Sequence, residues 1–355
     1  MEKLKCAVVG ATGPAGQKLV AYLERHPFLE VARVVASESS AGKRLADAIT
    51  PFFQKLDSNV PSTRVMDMVV QGIKNFDPKE CEIIFSTLDS DVAAKYEARF
   101  AEDTPVFTAA SANRYASLVP IHNVTVNDEH MEMVGAQKAK FGRRGFIVSK
   151  SNCTTSPIVS VLKKVAHYGI RNVSVSTEQA LSGAGKKGLE EGNAYRSMVR
   201  KVGKYPYIEG ENEKVMSESK QVLGSFDAIN TMRKDADFEI SAFCTRVYRE
   251  NVHDERILVR MKNSFDLGEI LNAILTPTHG YSLHTLPTNT IVLWNGKVVP
   301  ELHTKNFGPM ATAIGEIKKA DENTLMFRAT TDNTGIGAGL GLVASAEYAI
   351  AKGLI

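Results

Sequence analysis

The stretch Leu4–Gly16, LKCAVVGATGPAG, decides the fold of the first part of the chain. A mostly apolar run suited to a buried parallel strand leads into a GxxGxxG pattern, and a helix with apolar positions at Leu19, Val20 and Leu23 follows. In this order of strand, turn and helix, the glycines permit a tight turn, close approach to a pyrophosphate, and close packing of the helix. The stretch predicts a dinucleotide-binding loop, with a glycine-rich turn that binds nothing as the alternative. Its candidate cofactor residues are Gly10, Thr12, Gly13, Pro14, Ala15 and Gly16.

Further strand-like segments follow and alternate with helical ones. They are short and apolar, which is the pattern of a parallel sheet covered on both faces. We therefore expect an α/β domain with a Rossmann-like, doubly wound parallel sheet. Its other predicted strands are Val31–Ala36, Cys81–Ser86, Pro105–Ala109 and Gly145–Ser149, with a helix at Val92–Phe100.

The pattern changes after residue 170, because strands then follow one another with few helices between them. Such an order indicates a mixed or antiparallel sheet in a separate α+β domain. The predicted strands are Val173–Thr177, Ile240–Val247, Arg256–Met261, Thr290–Trp294, Met310–Ile317 and Thr324–Ala329. The last predicted helix, Leu340–Lys352, is expected to return to the first domain. We thus expect a dinucleotide-binding domain of residues 1–150 and 335–355 and a second domain of residues 151–334.

Composition narrows the class of protein. The 355 residues are 43% hydrophobic and 23% charged with a net charge of +3, which is too small to argue for a nucleic-acid partner. The cysteines are widely spaced without CxxC or histidine pairing, which favours reduced thiols over a disulfide framework or a metal site. Neither a leader pattern nor an apolar run of membrane-spanning length is present. We therefore expect a soluble, cytoplasmic protein with no metal and no membrane or nucleic-acid partner.

The residues after the second predicted strand bear on the choice of cofactor. An acidic residue there favours NAD, whereas positive charge and hydroxyls favour NADP. The run SESSAGKR at residues 37–44 has three serines and two cations against the carboxylate of Glu38. It favours NADP, while Glu38 keeps NAD open and a solvated surface loop would explain the composition equally well. The candidate cofactor residues here are Ser37, Ser39, Ser40 and Lys43.

A lone cysteine in KSNCTTSP, residues 150–157, marks a candidate catalytic site. A predicted strand precedes it, and Pro157 with several capping residues places a helix start beside it. Unpaired N–H groups and the helix dipole at that end stabilise a thiolate, so Cys153 suits covalent catalysis. A buried structural cysteine is the alternative.

Titratable residues elsewhere supply the other groups that such chemistry needs, although each has an ordinary explanation. His253 lies just past a strand and can take and return a thiol proton near neutral pH, or it is a plain loop histidine. Arg114 follows a strand end, where open α/β sheets bind ligands, or it is simply exposed. Glu211 and Lys214 share a helix face, which surface charge pairing also explains.

Five stretches together resemble the aspartate-β-semialdehyde dehydrogenase family, in colinear order over nearly the whole chain: GATGPAG, SNCTT, EQALSGAG, GENEK and RVYRENVH. The resemblance implies a reversible, NADP-dependent interconversion of L-aspartyl-4-phosphate and L-aspartate-4-semialdehyde, in the biosynthesis of lysine, threonine and methionine. It also implies inorganic phosphate as a second small-molecule partner. The second domain is then a catalytic and dimerisation domain, and the assembly a homodimer or tetramer.

The same resemblance implies a role for each candidate residue. The implied catalytic residues are Cys153 as the nucleophile that forms a thioester, His253 as the acid/base, and Gln179 as the group that orients the reacting carbonyl. The implied substrate residues are Arg246 for the α-carboxylate, Glu211 for the amino group, and Arg114, Asn152 and Lys214 for the phosphate. Ser182, Gly183 and Asn333 are added as cofactor residues. Such a set supplies both charge signs, as a small zwitterion with a phosphate requires.

Some residues depart from the family pattern, and two other functions stay open. Ser39 stands where relatives usually have arginine, which weakens the case for NADP, and Tyr248 replaces a proline before the histidine loop. Malonyl-CoA reductase shares the nucleophile and cofactor loops, but its substrate has no amino group for Glu211. A catalytically silent, dinucleotide-binding scaffold is the other alternative.

Overall fold

A computed structural model of the chain describes residues 2–49, 62–185, 210–277 and 279–355. The strands of the first part are β1 (Leu4–Val9), β2 (Leu29–Ala36), β3 (Gln71–Gly72), β4 (Ile83–Ser86), β5 (Val106–Thr108) and β6 (Ile147–Ser149). The helices up to the start of the second part are α1 (Pro14–Leu23), α2 (Leu45–Ala48), α3 (Thr63–Met66), α4 (Ser90–Phe100), α5 (Met133–Phe141) and α6 (Thr155–Val165).

The strands of the second part are β7 (Ile170–Gln179), β8 (Ser225–Asp227), β9 (Met232–Lys234), β10 (Glu239–Arg246), β11 (His253–Met261), β12 (Ile291–Leu293), β13 (Thr312–Asp321) and β14 (Thr324–Thr331). Its helices are α7 (Glu211–Val222), α8 (Leu267–Leu275) and α9 (Pro300–Asn306), followed by α10 (Leu340–Ala351). Short 3₁₀ turns lie at Pro78–Glu80, Asp128–Glu132, Ala166–Tyr168 and Leu181–Ala184, and a π-helical turn at Gly335–Gly339 precedes α10.

The first sheet is parallel throughout, with the strand order β3-β2-β1-β4-β5-β6. This is the strand order of doubly wound dinucleotide-binding folds. The central strand β1 is buried on both faces because its side chains alternate. Cys6 and Val8 pack with apolar residues of α1 and α10, whereas Ala7 and Val9 pack with Phe100 of α4. The returning helix α10 therefore completes the core of the first sheet.

The second sheet is mixed, with the strand order β10-β7-β11-β14-β13-β12. β10 with β7 and β12 with β13 are parallel pairs, and the remaining neighbours are antiparallel. One face buries a core with apolar residues of α6, α7 and α8, whereas residues such as Phe243 and Leu258 on the opposite face are exposed. The predicted fold class, a Rossmann-like parallel sheet plus an α+β part with a mixed sheet, is confirmed.

Several strands are longer than predicted: β7 begins at Ile170 rather than Val173, and β13 extends to Asp321 rather than ending at Ile317. β11 begins at His253 rather than Arg256, because Asp254 is buried in an ion pair with Arg328 and Glu255 is buried as well. The start of the strand was predicted too late because acidic residues usually indicate a surface position. The boundaries of the two domains at residues 150/151 and 334/335 remain a prediction.

Candidate active site

The glycine loop between β1 and α1 has the geometry of a phosphate-binding turn. Gly10 has a φ of +88°, and a Cβ at Gly16 would lie 2.2 Å from the Gly10 carbonyl oxygen, so both positions require glycine. The N–H groups of Gly10 and Ala11 donate to the Val35 carbonyl. Pro14 opens α1, whose first-turn N–H groups have no acceptor within the helix. The loop thus fits a pyrophosphate at the helix N-terminus. The other predicted loop residues, Thr12, Gly13 and Ala15, are partly exposed.

The serine-rich run after β2 offers hydroxyls to solvent while its one carboxylate is engaged. The hydroxyls of Ser37 and Ser39 lie 3.0 Å apart. The Glu38 carboxylate accepts the N–H of Lys74 at 3.1 Å and packs against Gly72, where a Cβ would lie 2.7 Å from it. Of the predicted cofactor residues here, Ser37, Ser39 and Lys43 are exposed and Ser40 is partly exposed.

Cys153 and His253 are brought together although 100 residues separate them. Cys153 lies between β6 and α6 and keeps partial solvent exposure, and His253 is the first residue of β11. The thiol sulfur Sγ lies 3.2 Å from the imidazole Nε2. The N–H of Ala180 donates to Nδ1 at 3.1 Å. A neutral ring held in this way carries its proton on Nε2 and directs it at the sulfur.

Burial sets the ionisation of this pair. It raises the pKa of the Cys153 thiol to about 12, and the Glu211 carboxylate acts in the same direction. Burial and the charges of Arg246 and Arg249 hold the pKa of His253 well below its ordinary value. The pair is therefore a neutral thiol beside a neutral imidazole. The thiolate expected from the helix start is wrong, because desolvation of the thiol outweighs the helix end and the nearby arginines.

Glu211 gathers three of the other predicted residues around its carboxylate. Its Oε1 accepts the amide Nδ2 of Asn152 at 2.8 Å and the amide Nε2 of Gln179 at 3.2 Å. Its Oε2 lies 3.8 Å from the Lys214 ammonium. Asn152 also accepts the N–H of Thr154 through Oδ1 at 2.7 Å, which satisfies a donor at the start of α6. The carboxylate is therefore buried but balanced by donors, next to the nucleophile.

The two predicted arginines lie close enough to Cys153 for their charges to lower the pKa of its thiol. Arg246, at the end of β10, donates from Nη1 to the Ala180 carbonyl at 2.7 Å. Arg114 is 4% exposed, so the interpretation as an exposed arginine is wrong. It donates from Nη1 to Glu218 at 2.8 Å and from Nη2 to the Ala109 carbonyl at 2.7 Å.

Three residues predicted to bind cofactor lie against the loop that carries His253. Asn333 accepts the N–H of Val252 at 3.0 Å and donates to the Ser182 hydroxyl at 2.9 Å. A Cβ at Gly183 would lie 2.8 Å from Arg246 Nη1 and 3.2 Å from His253 Cε1. Glycine there lets the loop approach His253 closely.

The π-helical turn Gly335–Gly339 connects the nucleophile with the glycine loop. A Cβ at Gly337 would lie 2.7 Å from the Cys153 Cβ, and one at Gly339 would lie 3.5 Å from the Ala15 carbonyl oxygen. The structure thus brings the predicted catalytic and substrate residues into one group beside the glycine loop. The serine-rich run stays outside this group. The hydroxyls of Ser37 and Ser39 contact each other, Glu38 accepts the Lys74 N–H, and Arg44 donates to Asp47 and Asp67.

Sequence reasoning missed three buried charged residues near the thiol. Glu218 is fully buried and binds Arg114; its spacing of seven residues from Glu211 on one helix was the available signal. Lys150 donates to the Ser156 hydroxyl at 2.7 Å, and burial lowers its pKa to about 7. Burial and Asp254 hold the pKa of Glu255 well above its ordinary value. Nothing in the sequence indicated that Lys150 and Glu255 are buried near the site, since lysine and glutamate usually lie on the surface.

Metal-binding clusters and membrane-spanning helices are both absent from the described ranges. No three His, Cys, Asp or Glu side chains are grouped there as a metal-binding cluster. Within the same ranges, every helix is too short or too polar to cross a membrane.

Two family models and several curated proteins match this chain. Residues 5–134 match the model of the semialdehyde dehydrogenase NAD-binding domain, and residues 162–335 match that of the semialdehyde dehydrogenase dimerisation domain. Aspartate-semialdehyde dehydrogenase of Aspergillus fumigatus is 31% identical over 99% of this chain and 99% of its own. The enzyme of that name from Methanothermobacter thermautotrophicus is 33% identical over 96% of this chain and 97% of its own.

Solved structures give the same result. The crystal structure of aspartate-semialdehyde dehydrogenase with NADP from Candida albicans superposes with a TM-score of 0.83 at 28% identity, covering 100% of both chains. The Vibrio cholerae aspartate-semialdehyde dehydrogenase II structure, at 20% identity, shares the fold with a TM-score of 0.75. The chain therefore belongs to the aspartate-semialdehyde dehydrogenase family and is an oxidoreductase that acts on an aldehyde group.

Proposed function

We propose that this enzyme catalyses the reversible, NADP-dependent reductive dephosphorylation of L-aspartyl-4-phosphate to L-aspartate-4-semialdehyde through a thioester on Cys153. The contact of 3.2 Å between Cys153 Sγ and His253 Nε2 carries the proposal. Near it, Glu211 supplies a negative charge and Arg246 and Arg114 supply positive charges. A zwitterionic substrate that bears a phosphate needs such a combination.

Covalent catalysis follows from the placement of the sulfur. Cys153 attacks the acyl carbon, the bond from that carbon to the phosphate oxygen breaks, and the thiol proton leaves on the departing phosphate. Arg114, Lys214 and Asn152 bind this phosphate in the proposed arrangement. Arg246 binds the α-carboxylate and Glu211 the amino group, so that Gln179 can orient the reacting carbonyl.

His253 stabilises charge and transfers a proton in the second stage of the reaction, the reduction of the thioester. When bound, NADPH supplies the hydride that reduces the thioester carbon. The Nε2–H of His253 stabilises the oxygen that becomes negative at this stage. The carbon–sulfur bond then breaks and the oxygen becomes the aldehyde carbonyl. The sulfur takes the Nε2 proton of His253 while the ring takes up a proton from solvent, so His253 ends the step neutral.

The choice of NADP is supported by the run after β2. The Glu38 carboxylate, which would favour NAD, is engaged by the Lys74 N–H, while the hydroxyls of Ser37 and Ser39 and the ammonium of Lys43 are exposed. They can receive a 2′-phosphate together with Ser40. The glycine loop would hold the pyrophosphate, and Ser182, Gly183 and Asn333 would complete the cofactor site. The Candida albicans relative was crystallised with NADP.

Assembly and cellular role complete the proposal. The exposed face of the mixed sheet carries Phe243, 71% exposed, and Leu258, 42% exposed, and it lies in the part that matches a dimerisation-domain model. A homodimer, or a tetramer built from dimers, would bury these residues. We place the enzyme in the cytoplasm, in the biosynthesis of lysine, threonine and methionine, with domain boundaries as expected from the sequence.

The reaction is tested by following reduced-nicotinamide absorbance with purified protein, L-aspartate-4-semialdehyde, phosphate, and NADP or NAD. Phosphate-dependent reduction that is faster with NADP is the expected result. Folded protein that reduces neither cofactor, or that does so equally well without phosphate, would contradict the proposal. Cys153→Ala should remove turnover but leave the fold and NADP binding intact.

A further inference from the structure

The carboxylate of Glu218 joins three segments that surround the nucleophile. Its Oε1 accepts the Arg114 guanidinium Nη1 and the Tyr115 hydroxyl, each at 2.8 Å. Its Oε2 accepts the backbone N–H of Asn152, one residue before Cys153, at 2.5 Å. Glu218 lies on α7, two turns beyond Glu211, and is 0% exposed.

From this geometry we infer that Glu218 is a positioning residue, which orients Arg114 toward the departing phosphate and fixes the backbone that carries Cys153. The inference rests on the proposed function, in which Arg114 binds phosphate. No part of the reaction itself needs Glu218, since its oxygens are occupied by three donors of the protein.

Arg114 depends on this contact for its direction. Its Nη2 is held by the Ala109 carbonyl at 2.7 Å, and among the described residues its buried Nε has no hydrogen-bond acceptor. Glu218 therefore supplies the one side-chain carboxylate that the guanidinium contacts in the described part of the chain. A planar guanidinium held at both Nη atoms keeps a fixed plane, which suits recognition of a phosphate by the remaining N–H groups.

A carboxylate is the group that this position requires. It accepts hydrogen bonds at both oxygens, whereas glutamine has one acceptor oxygen and an NH₂ group that can only donate. In Glu218→Gln the NH₂ must face either Arg114 or the Asn152 N–H, both of which are donors. One of the two contacts is then lost even though the side chain keeps its size.

The test compares Glu218→Gln with Tyr115→Phe, which removes one donor to the same oxygen and keeps the other two contacts. We expect Glu218→Gln to raise the phosphate KM by about tenfold or more, as loss of a charged hydrogen bond does. The semialdehyde KM and the NADP dissociation constant should change by less than about threefold. Tyr115→Phe should leave all three constants within about threefold. A residue needed only for folding would not separate the phosphate KM from the other constants.

A second readout does not require turnover. Inorganic phosphate should protect Cys153 from iodoacetamide, and half-protection in Glu218→Gln should need about tenfold more phosphate than in the wild type. Should Glu218→Gln not fold, Glu218→Asp keeps the charge but is too short for both contacts, and it should show the same shift.

Each outcome separates this inference from the proposed function. A wild type without turnover whose phosphate protection still shifts in Glu218→Gln would contradict the proposed function and support Glu218 as the positioning residue of an anion site. The inference would be overturned if both Glu218 variants kept the wild-type phosphate KM and the wild-type phosphate concentration for half-protection. It would also be overturned if the phosphate KM, the semialdehyde KM and the NADP dissociation constant all changed equally. A wild type that phosphate does not protect would also overturn it.

Discussion

Gly337 gives the sharpest test of how the nucleophile is positioned. In Gly337→Ala the new Cβ would lie 2.7 Å from the Cβ of Cys153 and 3.0 Å from its Cα. Carbon atoms pack best at about 3.5–4.0 Å, so Cys153 or the turn must move by about 1 Å. The thiol now lies 3.2 Å from His253 Nε2, and a shift of that size would break the contact.

The expected loss follows from this displacement. A misplacement of about 1 Å at a reacting group costs up to about 100-fold in rate, so kcat in Gly337→Ala should fall by about 10- to 100-fold. Crowding of this kind also lowers the free energy of unfolding by about 1–3 kcal/mol. The matched control is Gly339→Ala in the same turn, whose Cβ would meet its nearest neighbours, Ala15 O and Leu19 Cβ, at an ordinary 3.5 Å.

The assay measures kcat for phosphate-dependent NADP reduction, thermal unfolding, and the rate at which iodoacetamide labels Cys153. Labelling reports on one site, because the other cysteines, Cys6, Cys81 and Cys244, are buried. The reasoning is refuted if Gly337→Ala keeps kcat within about twofold of the wild type, or if Gly339→Ala loses as much.

Three further predictions concern charge. Arg246→Lys should raise the semialdehyde KM by about tenfold or more and leave NADP binding nearly unchanged, because lysine cannot bind a carboxylate with two parallel hydrogen bonds. Steady-state kinetics in which semialdehyde and NADP binding weaken equally would contradict this. Because burial raises the pKa of the Cys153 thiol to about 12, iodoacetamide labelling of the ligand-free protein should keep accelerating beyond about pH 10, and a plateau near the ordinary thiol value of about 8.5 would disagree. Burial lowers the pKa of His303 from 6.5 to about 4, so between these pH values the unfolded chain binds more protons than the folded one. The contribution of the neutral ring to the free energy of unfolding is complete above pH 6.5 and should fall by about 3 kcal/mol as the pH drops to about 4. Urea unfolding should show a shallower pH slope in His303→Asn, and equal slopes would exclude this cause.

The parts of the fold that sequence predicted well are those in which side-chain polarity reports burial directly. Leu4–Val9 was placed to the residue, because an apolar run bounded by glycine has few other interpretations. The helix predicted at Val92–Phe100 was also found, as α4 at Ser90–Phe100. Strand order could not be derived in this way, since it depends on pairings between segments distant in the chain.

The site was predictable to the extent that local motifs carry chemistry. Cys153 beside a helix start and the glycine loop were visible in short stretches. The ionisation of Cys153 could not be predicted in this way, because the pKa of its thiol depends on burial and on Glu211, which lies near it only in the folded chain. Glu218 was missed for a similar reason: its partner Arg114 is 104 residues away, and a glutamate on an amphipathic helix otherwise indicates solvent.

The placement of these charges has a consequence for how the chain can function. Arg114 follows β5 of the parallel sheet, whereas Glu218 lies on α7 against the mixed sheet, and the two are buried against each other. Lys18 of α1 and Asp332 after β14 form a second, partly exposed ion pair between the two parts at 2.5 Å. A buried charge without its partner is strongly destabilising. Each half of the chain thus supplies a counter-charge for the other, so we expect Cys153, Arg114 and the glycine loop to acquire their geometry only when both halves fold together.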